Sequence, residues 1–210
     1  MVQTSPPSRT AAPRQKRALA TRGALLDAVE RIVAADGPGA VTTTRLAEET
    51  GVAVGTIYRY FADREALLLA AYDATVRRIV SACRDVMDEI PPEMSAPEAA
   101  RILLRRYLDA AEAIPAHSGL LRAMRAIRPI EADQAGSAEV DVIGELIGPA
   151  LGRFLPGSAL VDPESLRFMN VLIGTMVDFY LVAQDAGARA RIAREIEAHV
   201  GLMLERLETR

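Results

Sequence analysis

Apolar positions recur at helical spacing along most of this chain. Leu25, Val29, Ile32 and Val33 share one face of a segment from Thr21 to Asp36, and Gly37-Pro38-Gly39 ends it as a left-handed cap followed by proline does. Thr42 is placed to cap a second, short helix whose apolar teeth are Leu46 and Ala47. Gly51 supplies a turn that tolerates positive φ, and Val52 packs inward after it. A third short helix has Ile57 and Phe61, four apart, on its buried side. Asp63-Arg64-Glu65-Ala66-Leu67 then opens a long fourth helix, along which Leu68, Tyr72, Ile79, Cys83 and Ile90 keep an apolar stripe as far as Pro91-Pro92. Beyond it the pattern predicts helices near 97–113, 116–128, 137–154, 163–185 and 188–207, divided by Ile114-Pro115, Arg128-Pro129 and Leu155-Pro156-Gly157-Ser158. Strand-type alternation is absent from the pattern. The expected fold is therefore all-α, with about nine helices: an N-terminal three-helix helix-turn-helix domain, then a helical bundle.

Residues 43–61 carry the most chemistry. Two short helices crossed through a glycine turn form the arrangement with which a helix-turn-helix enters a DNA major groove. The exposed positions of the second helix suit a duplex. Gly55 permits close approach of the backbone, Thr56 can donate or accept at a base edge and touch a thymine methyl, and Tyr58, Arg59 and Tyr60 can reach phosphates.

With these residues in hand, the segment from 21 to about 69 resembles the DNA-binding domain of the TetR family of bacterial transcriptional regulators. The resemblance is carried by Thr42-Thr43, Leu46-Ala47, Gly51-Val52, Gly55-Thr56, Tyr58, Tyr60-Phe61 and Asp63-Arg64-Glu65-Ala66-Leu67. It implies an all-helical homodimer, each subunit with one DNA reader and a larger C-terminal domain for a small effector. It further implies that Thr43 holds a phosphate, that Val54, Gly55 and Thr56 face bases, and that Tyr58 and Tyr60 hold the DNA backbone. Arg64 stands where the family usually has lysine, and by the same resemblance would hold a phosphate at the start of the fourth helix. Two positions depart from the family pattern. Thr44 is short where relatives often carry a base-reading arginine, so any base contact from it has less reach; Ala53 lacks the capping hydroxyl frequent at the start of the recognition helix, a loss of roughly 1 kcal/mol. The reading helix is recognisable, but the bases it prefers do not follow from it.

The stretch from Glu164 to Asp185 is apolar nearly all round, and the final helix adds Ile192, Ile196, Val200, Met203 and Leu207. Together they carry more apolar surface than one subunit's core requires. An isologous four-helix contact between two copies is the natural place for it, which matches the family's dimer through its last two helices; burial inside a monomer is the alternative. Two readers related by a two-fold axis would meet a near-palindromic operator in major grooves about 34–36 Å apart, or a multiple of that.

For the effector, the expected lining is Leu103, Tyr107, Leu121, Met124, Ile127, Ile143, Met169, Ile173 and Met176, with Asn170, Asp178 or His117 as polar anchors. Asp178, with Asn170, Gly174 and Arg167, also forms a polar stripe that reads more readily as a hydrogen-bond seam at an interface. Arg122, Arg125 and Arg128, three apart, read as a solvated helix face, with a second anion site as the alternative.

Charge divides the chain unevenly. The net charge is −3, yet residues 1–64 hold nine basic and six acidic groups, a balance of +3 that leaves −6 for the rest. Five basic and no acidic groups fall in the first 22 residues, within a Pro/Ser/Thr/Ala-rich stretch expected to be a disordered arm over 1–20 that tracks phosphates or has no role. The expected division is thus an arm at 1–20, a DNA-binding domain at 21–66, and a ligand-binding and dimerisation domain at 67–210. One cysteine excludes a disulfide framework and suits a cytoplasmic location. The apolar run Val171–Ala183 is broken by Asp178, so no membrane partner is expected.

His117 and His199 lie far apart, Cys83 falls on an apolar stripe, and no metal-ligand spacing or phosphate loop is present. The expectation is a regulator, with neither catalysis nor cofactor nor metal, and most simply a repressor relieved by a small apolar or amphipathic ligand. An activator of the same fold, or a helical protein-interaction or ligand-sequestering module, are the alternatives.

Overall fold

The computed structural model describes residues 11–128, 141–156 and 163–208, and the regular structure among them is entirely helical. α1 (Ala11–Asp36) begins ten residues before the apolar pattern does. This corrects the expected unstructured arm: residues 11–20 are helical, and residues 1–10 lie outside the described set. The reason is local. Ala18 and Ala20 flank good helix formers, and a helix nucleated by the docked Leu25–Val33 segment extends at little cost. Lys16, Arg17 and Leu19 are exposed on this extension, and α1 stops at Gly37, whose φ of 78° ends the helix while its N–H donates to Val33 O at 3.0 Å.

A single 3-10 turn (Pro38–Ala40) leads to α2 (Thr43–Thr50) and α3 (Val54–Tyr60). α4 (Arg64–Glu89) follows, its first turn capped by Asp63, which accepts from the Ala66 N–H at 2.7 Å. At 26 residues α4 is about 39 Å long. That length lets it serve two cores. The first packs Leu25, Val29 and Ile32 of α1, Leu46 of α2, Ile57 and Phe61 around α3, and Leu67, Leu68 and Ala71 of α4. It also takes in Ala116 and Leu120, from the start of the helix His117–Ile127, so the core under the helix-turn-helix does not end at residue 66.

The second core joins the rest of α4 to α5 (Ala96–Glu112), α6 (His117–Ile127), α7 (Gly148–Phe154), α8 (Pro163–Val182) and α9 (Ala186–Glu208). A π-helical turn, Ile143–Ile147, leads into α7, with Gly148 N–H bonded to Ile143 O. Pro149 has no N–H for the Glu145 carbonyl and its ring would crowd it, and a widened turn accommodates both. The helix expected over 137–154 is thus observed from 141; its first four positions lie outside the described residues.

α8 is long and apolar enough to cross a membrane, with a mean hydropathy of 1.3. It nevertheless packs against α5, α6 and α9 and carries an aspartate paired within the bundle. Phe168 and Phe179 of α8 stay 67% and 65% exposed, and Val171 and, on α9, Leu202 are exposed as well.

Candidate nucleic-acid interface and effector cavity

The helix-turn-helix is built from local bonds. Thr42 Oγ1 accepts from the Arg45 N–H at 3.2 Å, starting α2. Gly51 ends it at φ 69°, and its N–H donates to Ala47 O at 2.9 Å. Thr50 strengthens the turn, its hydroxyl donating to Leu46 O at 2.6 Å and accepting from the Val52 N–H at 3.3 Å. Ala53 begins α3 with no side-chain cap.

Ile57 and Phe61 are buried at 1% and 5% exposure, which fixes the rotation of α3. Val54, Gly55, Tyr58 and Arg59 are then exposed, with Thr56 and Tyr60 half-buried. A Cβ placed on Gly55 would meet nothing within 4 Å, so internal packing does not require glycine there. Close approach by an outside surface would. Thr42 and Thr44 are exposed at the start of α2, and Thr43 is half-buried between them. Arg59 lies over the Tyr60 ring, 5.4 Å from its centroid.

Arg64 has a structural role as well. Its Nε donates to Val41 O at 2.9 Å and its Nη2 to Pro38 O at 2.5 Å, so the guanidinium braces the loop before α2 against the start of α4. Two backbone carbonyls converge within its reach, a bracing role that the sequence pattern does not show. Arg45 is similarly committed, to Asp36 at 2.5 Å and Glu49 at 3.3 Å.

A cavity of about 260 Å³ opens inside the second core, walled by α4 to α9 and the π-helical turn. Of the expected lining residues, Leu103, Tyr107, Met124, Ile143, Met169 and Ile173 meet there, with the expected anchors Asn170 and Asp178. Leu121, Ile127 and Met176 do not line it. Leu121 is sealed in the second core at 1% exposure, Ile127 packs on the first core, and Met176 packs on the second. Helical spacing marked them as apolar but could not assign which neighbour each would face. The sequence reading missed Tyr72 and Asp73 of α4, Arg125 and Arg128 of α6, and Leu151 and Phe154 of α7. In the sequence Tyr72 reads as part of an apolar stripe, and the arginines spaced three apart are the signal that points to a charged wall.

Asp178 is not read best as an interface seam. Its Oδ2 receives Arg125 Nε at 2.6 Å and Nη2 at 2.5 Å, joining α8 to α6 at the cavity wall. Arg125 therefore does not lie on a purely solvated face. Tyr107 is close by: burial pushes its phenol up, and the Asp178 charge acts in the same direction.

His117 is also no ligand anchor. It is 1% exposed and bonded to Thr75, with its ring stacked on Tyr72 at 5.7 Å. Burial first, and the charge of Arg78 second, lower its pKa to about 4. Cys83 is fully buried, and burial raises its thiol to about 12, so it remains protonated and unreactive.

Residues 25–71 match the bacterial regulatory proteins of the tetR family. The HTH-type transcriptional repressor KstR of Rhodococcus jostii is 30% identical over 188 residues, spanning 87% of this chain and 82% of that protein. The TetR family repressor AlkX from a Dietzia species, implicated in biodegradation of n-alkanes, superposes with a TM-score of 0.62 at 18% identity, over 88% of this chain and 95% of AlkX. RolR in complex with resorcinol gives 0.61 at 19% identity, over 94% and 97% of the two chains. At those identities the two structures report the shared fold.

Proposed function

The chain belongs to the TetR family of bacterial regulatory proteins, so we propose that it represses transcription as a homodimer that leaves its operator when a small apolar or amphipathic effector fills the cavity. DNA-binding repression under effector control is the activity of the family. The assignments to this chain are finer. Thr43 holds a phosphate at the start of α2, Val54, Gly55 and Thr56 face base edges, and Tyr58, Arg59 and Tyr60 hold the DNA backbone. The exposed faces of α8 and α9, with Phe168, Val171, Phe179 and Leu202, meet their copies across a two-fold axis.

One observation carries the coupling. α6 belongs to both cores, with Ala116 and Leu120 under the helix-turn-helix, and Met124, Arg125 and Arg128 on the cavity wall. An effector that moves the far end of α6 therefore strains the packing of the DNA-binding core. If it favours the state in which the two readers are wrongly spaced, it weakens operator affinity by the same factor that DNA weakens effector binding, commonly worth about 1–3 kcal/mol.

The test is nuclease protection of the intergenic DNA beside the protein's own gene, with wild type and a Tyr58→Ala/Thr56→Ala variant, and sedimentation of both. Protection should vanish in the variant while the dimer persists. Unchanged protection would remove α3 as the reader.

A further inference from the structure

Among the described residues, five charged groups line the cavity: Arg125, Arg128 and Arg167, against Asp73 and Asp178. The rest of the wall is mainly apolar, where a ligand's charge must be met by an opposite one. Arg125 stands in the last turn of α6 and Arg128, three residues on, at its C-cap, and both border the cavity. Arg125 also fastens α6 to α8, since its Nε and Nη2 converge on the single oxygen Oδ2 of Asp178. Neither partner is sealed, with 28% and 20% of the side chains exposed, and both border the cavity. A pair so placed is open to exchange. A carboxylate entering the cavity offers Arg125 the same acceptor chemistry as Asp178, and Arg128 offsets the repulsion of a second negative charge.

We propose that the effector is an amphipathic carboxylate whose head group takes Arg125 from Asp178 beside Arg128, while its apolar body lies along Leu103, Met169 and Ile173. The exchange unfastens α6 from α8. Because α6 also packs in the core of the helix-turn-helix, the head group itself then bears on the DNA reader. This deepens, and rests on, the reading of the cavity as the effector site.

Three probes of equal chain length separate the possibilities: octanoate, 1-octanol and octyltrimethylammonium, titrated calorimetrically into the full-length protein. Octanoate should bind at least about tenfold tighter than 1-octanol, and the ammonium weakest. Asp178→Asn, which keeps a hydrogen-bonding side chain but removes the competing charge, should tighten octanoate. Arg125→Gln/Asp178→Asn, a neutral pair, should erase the preference for octanoate over octanol, with thermal melts confirming that both variants fold. Equal affinity for octanoate and octanol in the wild type, or preference for the ammonium, overturns the carboxylate proposal and leaves the cavity as an effector site. Failure of all three to bind overturns both, without touching operator recognition.

Discussion

Nδ1 of His117 lies 2.8 Å from Oγ1 of Thr75, in the packing between α6 and α4. The threonine hydroxyl has one proton, and it donates that to Tyr72 O at 2.7 Å. His117 must therefore be the donor, as a neutral ring protonated on Nδ1. The same ring stacks on Tyr72, a residue of the cavity wall. One buried, uncharged imidazole thus ties the cavity wall to the helix that runs between the two cores.

Its lowered pKa gives stability a pH dependence of definite sign. The unfolded chain binds the imidazole proton below about 6.5 and the folded protein only below about 4, so this stability is complete above 6.5 and is lost as pH falls towards 4. The full effect is about 3 kcal/mol. His117→Asn places an uncharged amide near Nδ1, and its Tm between pH 4.5 and 6.5 should fall less than that of the wild type. Equal falls would show that His117 is not the group responsible.

Gly119 is where α6 rests on α1. A Cβ there would stand 2.7 Å from Val33 Cγ1, on a β-branched side chain with little freedom to turn away. Gly119→Ala should cost about 1–3 kcal/mol in urea unfolding. Adding Val33→Ala in the same chain should recover part of that loss by making room; additive losses would place the strain elsewhere.

Arg59, on the reading helix, and Arg64, at the start of the next one, should behave differently. Arg59→Gln should weaken operator binding and reduce the slope of log affinity against log salt by about 1.8, as loss of one phosphate contact from each subunit of the dimer does. Arg64→Gln should lower stability by about 1 kcal/mol through its bonds to Pro38 O and Val41 O, and leave the salt slope unchanged. Fluorescence anisotropy with labelled operator across salt concentrations, paired with thermal melts, separates the two.

Phe179→Glu tests the outer face of α8. The side chain is 65% exposed in the subunit, so the helical content seen by circular dichroism should be retained. Buried against a second copy, the same glutamate would be an unpaired charge. Sedimentation should show monomers and operator affinity should fall by at least about tenfold, since one reader holds only half of a two-fold site. A persisting dimer would move the interface off this face.

The positions of the helices were legible in the order of residues because they follow from neighbours a few places apart. Gly51 ends α2 in the left-handed conformation that the glycine permits, Thr42 and Asp63 cap the helices they precede, and Ile57 with Phe61 sets the rotation of α3. The α1 extension was missed for the opposite reason: an exposed helical turn needs no apolar stripe, only good formers and a docked helix to extend.

The chain's own periodicity thus determined an all-helical protein with a helix-turn-helix near its start, for local sterics and hydrogen bonds decide caps, turns and buried faces. Tertiary structure alone decided what the polar groups do. Arg64 turned to carbonyls 23 and 26 residues back, His117 to a threonine 42 residues away, and Arg125 to an aspartate 53 residues on. A charged or polar side chain leaving water takes the partner that packing brings within about 3 Å, and no local spacing encodes which residue that is.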